Sequence, residues 1–125
     1  MSASSSTRST FEGSLTLEDL RSKIATFSDA RGWNKDGHRP RNLLLAMVGE
    51  VGELAECFQW RGDDDQNVDN WTPEDKEHLG EELSDVLIYL VRLADRCNVD
   101  LSTASLRKIE KNAIKDPLPQ APLPL

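Results

Sequence analysis

The sequence predicts an all-α protein, a bundle of four helices completed by association with further copies of the chain. Three observations predict it. Apolar residues recur at spacings of three and four in four separate stretches. Each stretch opens on a residue suited to a helix N-cap or on a proline suited to a first turn. No stretch shows the strict alternation of a half-buried strand. The chain has 125 residues, enough for one domain with a modest core. Its expected organisation is a disordered Ser/Thr-rich segment at 1–14, an all-α domain at 15–116 and a Pro-rich extended tail at 117–125.

The first helix is expected to start at Thr16, with Asp19 three residues on in a capping-box position. Leu17, Leu20, Ile24 and Phe27 form its apolar face, and Gly32 is suited to its C-terminal stop. A loop holding Trp33 and His38 follows. Pro40 opens a second helix that runs to about Trp60. Gly62 to Asn70 reads as a polar loop, with Asp63, Asp64 and Asp65 as a solvated charge run. Thr72 and Pro73 start a third helix, with Leu79, Leu83, Val86, Leu87, Leu90, Leu93, Ala94 and Cys97 on its apolar stripe. Asp100 caps a fourth, with Leu101, Ala104, Leu106, Ile109 and Ala113 expected to face inward and Arg107, Lys108, Lys111 and Lys115 on the other side.

The charge balance is acidic, 22 Asp and Glu against 15 Lys and Arg for a net −7. That argues against a nucleic-acid-binding surface, which depends on clustered Lys and Arg. It leaves room for a nucleotide carried with a divalent cation. No apolar run reaches the roughly 18 residues of a membrane span, and MSASSSTRST lacks an apolar signal core. Cys57 and Cys97 read as small core residues in a reducing setting. A cytoplasmic location is the expectation, with the nucleus or an organelle left open.

The chemistry concentrates in two of the helices. Glu50 and Glu53 lie three residues apart in the second, and Glu82 and Asp85 three apart in the third. Positions three apart share a helix face. Any single Glu is most simply a solvated side chain. Two pairs on helices with so little polar surface read differently, because buried charge needs a partner. Four carboxylates from two packed helices suit a hard divalent cation with oxygen ligands. Gly49 and Gly52 flank Glu50 at a cost of about 1 kcal/mol each in a helix interior, which points to a close approach to that backbone. Tyr89 extends the carboxylate line of the third helix, either as a stacking group for a ligand or as an amphipathic residue at the core edge. Apolar residues on more than one helix face point to a homo-oligomer.

The E-x-x-E of Glu50 and Glu53, followed after 28 intervening residues by the E-x-x-D of Glu82 and Asp85, resembles the all-α nucleoside triphosphate pyrophosphohydrolases, the MazG-like group. The strings LEDLRSKIATFSDARGW, HRPRNLLLAMVGEVGELAECFQW and EELSDVLIYLVRLADRCNVDL resemble the dCTP pyrophosphatases within it. The resemblance covers roughly Leu15 to Pro117. It implies hydrolysis of dCTP and 5-modified analogues such as 5-methyl-dCTP to the monophosphate and pyrophosphate with Mg²⁺. The homo-oligomer expected from the apolar faces is a dimer or tetramer. The resemblance implies that Glu50, Glu53, Glu82 and Asp85 bind the metal; one of Glu50 and Glu53 is then expected to orient or deprotonate the attacking water. The resemblance assigns His38, Trp33, Trp60 and Tyr89 to the base site, with Phe27 and Trp71 as further aromatics, and Lys108, Asn112 and Lys115 to the phosphates. Two departures stand out: Asp116 occupies the place of a Tyr, and the Trp33–His38 loop is one residue longer than usual. Rival readings are a broader house-cleaning pyrophosphatase and a non-catalytic helical assembly module with structural carboxylates.

Overall fold

In the computed structural model, residues 10–35, 38–62 and 68–119 are described. Helix α1 spans Leu17–Ala30. Its start is the expected capping box: Thr16 Oγ1 accepts from the Asp19 N–H at 3.0 Å, and Asp19 Oδ2 accepts from the Thr16 N–H at 3.0 Å. Its end is a Schellman motif. The Gly32 N–H donates to the Asp29 carbonyl and the Trp33 N–H to the Ser28 carbonyl, both at 3.0 Å, with Gly32 at φ 69°. Helix α2, Pro40–Gln59, starts on its proline. A 3₁₀ turn at Val68–Asn70 leads into α3, Pro73–Arg96, where Thr72 Oγ1 accepts from the Asp75 N–H at 3.1 Å. A second Schellman motif ends α3, with Asn98 in the left-handed position at φ 56°. Val99 donates to Ala94 and Asn98 to Asp95. Asp100 then caps α4, Leu101–Lys115, through the Thr103 N–H at 3.1 Å.

Helices α2 and α3 form an antiparallel hairpin that carries most of the packing between elements. Both ends of the hairpin are pinned. At one end Trp71, 5% exposed, tilts against Phe58 with ring centroids 5.1 Å apart. Arg61 lies 3.7 Å above the Trp71 ring and pairs with Asp75 at 2.8 Å. At the other end Arg92 meets His38 at 2.8 Å. Helix α1 packs on α3, where Ile24, Val91 and Ala94 are buried and Arg21 reaches Asp95 at 3.3 Å.

Helix α4 departs from expectation. It touches α1 and makes no substantial contact with the α2–α3 hairpin. Ala104, Leu106, Ile109 and Ala113 are exposed rather than inward-facing, Leu106 and Ile109 at 65% each. The same holds for Leu44, Leu45, Val48 and Val51 on α2 and for Leu83, Leu87 and Leu90 on the expected core stripe of α3. The apolar periodicity is real, but the described residues do not cover all of it. Cys97 is likewise exposed rather than core, because it is the C-cap residue of α3 and not part of its buried face. Outside the helix's own backbone, no described atom lies within 4 Å of a Cβ built on Gly49 or Gly52, so the close approach expected there does not occur among the described residues. The Asp63–Asp65 run, residues 1–9 and residues 120–125 lie outside the described residues.

Gly32→Ala should cost about 1–2 kcal/mol, the penalty for a Cβ in the left-handed region, and should shift Trp33. Urea unfolding followed by tryptophan fluorescence measures both. An unchanged midpoint would mean that the stop of α1 tolerates another conformation.

Candidate active site

Midway along the hairpin, the antiparallel register brings the expected carboxylates of α2 and α3 face to face. One oxygen from each of Glu50, Glu53 and Glu82 lies within 4.8 Å of the other two. Glu82 is buried at 9% exposure and Glu50 half-buried, while Glu53 is exposed. Asp85 stands outside this tight set but close enough to act on both Glu50 and Glu82 electrostatically. Burial raises the Glu50 carboxyl above its ordinary value, and the neighbouring charges of Glu53, Asp85 and Glu82 raise it further. Burial also raises Glu82, followed by the charge of Glu53, with His78 at 3.7 Å opposing.

The donor set fits a hard cation. Glu50 Oε2 and Glu82 Oε2 are buried with no hydrogen-bond partner, an arrangement that is costly unless positive charge enters. Oxygen ligands at this spacing, in a cluster reached from solvent through Glu53, can hold one metal ion.

Aromatic groups flank the carboxylates on both sides. Toward the start of α2, the His38 and Trp33 rings stack nearly parallel, with centroids 5.5 Å apart and planes at 5°. The Phe27 ring meets Trp33 edge-on at 5.6 Å. The Arg92 guanidinium lies 5.4 Å from the Trp33 ring and 5.9 Å from Tyr89. The Gly32 turn at the end of α1 is what delivers Trp33 to this group. Toward the end of α2, Trp60 is 88% exposed on a cleft of about 660 Å³ shared with Cys57, Arg61, Trp71, Asp75 and His78.

The expected site residues therefore divide. Glu50, Glu53 and Glu82 come together with Asp85 beside them, and Trp33 stacks on His38, with Tyr89 reaching that pair through Arg92. Trp60 lies at the opposite end of α2 from Trp33, since 20 helical residues span about 30 Å. Lys108, Asn112 and Lys115 are exposed on α4, with no hydrogen bond or ion pair to the carboxylates among the described residues. Arg92 was not among the expected residues. It stands three positions after Tyr89 on the line Glu82, Asp85, Tyr89, and that spacing was the available signal.

A family model described as the MazG-like family matches residues 46–122. The chain belongs to the MazG-like family. As a MazG-like protein it is 53% identical over 110 residues to dCTP pyrophosphatase 1 of Homo sapiens, covering 88% of this chain and 64% of that protein. The corresponding bovine protein is 52% identical over 108 residues, covering 86% and 63%. The chain thus spans less than two thirds of the length of these mammalian relatives. Among solved structures, a pyrophosphatase from Archaeoglobus fulgidus superposes with a TM-score of 0.72 at 36% identity, covering 88% of this chain and all of that one. This MazG-like chain is all-α in its described residues, and no described helix is long and apolar enough to cross a membrane.

The raised Glu82 carboxyl fixes a sign. Its charged form is disfavoured by folding, so the penalty is absent below its ordinary value of 4.5 and develops as pH rises through the raised folded value. Metal-free Glu82→Gln should therefore resist urea better than the wild type at pH 7.5, with the advantage vanishing below pH 4.5. Added divalent cation should stabilise the wild type and not the variant. A variant less stable than the metal-free wild type at neutral pH would show that the carboxylates are not held in mutual repulsion.

Proposed function

We propose that this protein is a Mg²⁺-dependent nucleoside triphosphate pyrophosphatase that hydrolyses dCTP, and 5-modified dCTP such as 5-methyl-dCTP, to the monophosphate and pyrophosphate. The observation that carries the reading is the cluster of Glu50, Glu53 and Glu82 with its orphaned buried oxygens. The likeness to dCTP pyrophosphatase 1 supports the choice of nucleotide.

Glu50, Glu53, Glu82 and Asp85 would hold the metal. Bound Mg²⁺ supplies positive charge that offsets the negative charge developing on the phosphate oxygens. Glu53, the exposed member of the cluster, or Glu50 takes a proton from the attacking water. The water oxygen bonds to the α-phosphorus, the bond from that phosphorus to the bridging oxygen breaks, and pyrophosphate leaves with the electron pair. His38, Trp33 and Tyr89 receive the base, with the stacked pair setting its plane. Lys108, Asn112 and Lys115 bind phosphate oxygens.

Trp60 lies at the far end of α2 from Trp33, and α4 lies away from the hairpin within one chain, so on this reading they join the base site and the phosphates through a second copy. The exposed apolar residues of α2, α3 and α4 supply the surface for a homo-oligomer, a dimer or tetramer. The two free cysteines fit a reducing compartment, and we place the protein in the cytoplasm.

Pyrophosphate release from dCTP, 5-methyl-dCTP, dUTP, dTTP and dATP, with and without Mg²⁺, tests the activity. Mg²⁺-dependent turnover centred on the cytosine nucleotides is the expected result. Turnover spread over all bases would favour a broader house-cleaning pyrophosphatase. Glu53→Gln should lower kcat by at least about 10²-fold with the fold intact; retained activity would remove Glu53 from the reaction.

Ile109→Asp tests the assembly separately. The side chain is 65% exposed within one chain, so the substitution costs a monomer little. It should shift sedimentation to a smaller species, and an unchanged sedimentation coefficient would place α4 outside any interface.

A further inference from the structure

A second buried charge in this fold lacks a full set of partners, and it is a cation. Arg92 is 6% exposed and its Nε is buried without a hydrogen-bond partner. No ion pair joins it to a carboxylate among the described residues. An arginine withdrawn from water without an acid is expensive, so its geometry calls for an explanation. Burial lowers its pKa, yet arginine keeps its proton in proteins and has no lone pair to offer. Every nitrogen of Arg92 is a donor.

That fixes the other half of the contact. Arg92 Nη2 stands 2.8 Å from Nδ1 of His38. Only a lone pair on Nδ1 can meet a donor at that distance. The single ring proton of His38 therefore sits on Nε2. The commoner arrangement, in which Nδ1–H donates to a carbonyl or carboxylate, leaves Nε2 as the acceptor. Arginine in that place inverts it. The stacking on Trp33 holds the plane of the ring, so both the direction and the sign of its free nitrogen are set.

We infer that Arg92 is a positioning residue that fixes His38 as the Nε2–H tautomer, so that His38 offers a donor, never an acceptor, to a planar ligand bound beside Trp33. The complementary ligand presents a ring carbonyl or an unprotonated ring nitrogen at that point. Cytosine carries both, side by side, on one edge. A base that places an N–H there sets two donors against each other and leaves both unsatisfied. The inference rests on the reading above, in which His38 and Trp33 receive the base, and it adds how that pocket selects.

Imidazole ¹⁵N NMR on the 125-residue chain reads the tautomer directly, with His78→Gln assigning the two histidine rings. The wild type at pH 7.5 should show His38 as the Nε2–H form, and Arg92→Met should show a mixture of tautomers. An Nδ1–H ring in the wild type, or an unchanged tautomer in folded Arg92→Met, overturns the assignment. In turnover, Arg92→Met should raise KM for dCTP about tenfold, the worth of one hydrogen bond. Its kcat should stay within about twofold, and Arg92→Lys should recover part of the loss. A fall in kcat at unchanged KM would also overturn it. If the wild type hydrolyses no triphosphate, the proposed activity fails, while the NMR arm still decides the role of Arg92.

Discussion

Like charge held at short range between two helices constrains the rest of this structure. Glu50, Glu53 and Glu82 face one another across α2 and α3, and their repulsion acts to pry the hairpin open at its middle. The hairpin withstands it because both ends are clamped by contacts that do not involve the carboxylates. Trp71, Phe58, Arg61 and Asp75 close one end. Arg92, His38 and Trp33 close the other. A site assembled this way is poised rather than relaxed. The geometry that suits a cation exists without one, and relief of that repulsion would contribute to the binding free energy of any cation held there.

The two clamps have different origins. The Trp71 end is a packing cluster, with a buried indole under a guanidinium. The His38 end depends on how α1 stops. A left-handed residue is required at Gly32 for the Trp33 N–H to reach the Ser28 carbonyl, and only then does Trp33 stand between Phe27 and His38. Ser28, 1% exposed, is small enough to let the chain turn there. Asn98 performs the same turn at the end of α3, where it delivers Asp100 to cap α4. Local helix-stop chemistry thus sets the placement of a ring that the long-range packing alone would leave undetermined.

Much of this was legible in the sequence because the governing interactions are local. Thr16 with Asp19, Pro40, Thr72 with Pro73, Gly32 and Asp100 each fix a helix boundary within a few residues of themselves. The spacing of the two carboxylate pairs requires only that the helices exist and pack antiparallel. What could not be read is which apolar faces the described residues leave uncovered. The apolar stripe of α4 reads as inward-facing because periodicity reports which side is apolar, not what covers it. Gly49 and Gly52 signal a close approach that no described residue of the chain makes. Arg92 was missed for another reason. An arginine within an apolar helix is expected to extend to water, and its burial depends on the α1–α2 loop, which brings Trp33 and His38 against it.

Asp116 shows how backbone and side chain can be under separate control at one position. Its N–H donates to the Asn112 carbonyl at 2.7 Å as the C-cap of α4, and Pro117 after it disfavours the helical region. The observed φ −120° and ψ 74° follow from that sequence context whatever the side chain. The carboxylate itself sits at the negative end of the helix dipole. It also lies one turn beyond Asn112, on the face that carries Lys108, Asn112 and Lys115. If that face binds phosphates, the two lysine charges are reduced by one before any ligand arrives. The repulsion acts on bound triphosphate in the ground state and the transition state alike, since the oxygens it meets are charged in both. An interaction that weakens both states equally changes the substrate concentration at which the enzyme works, not the rate of its chemical step. Asp116 is therefore compatible with an intact carboxylate centre, because its cost falls on binding.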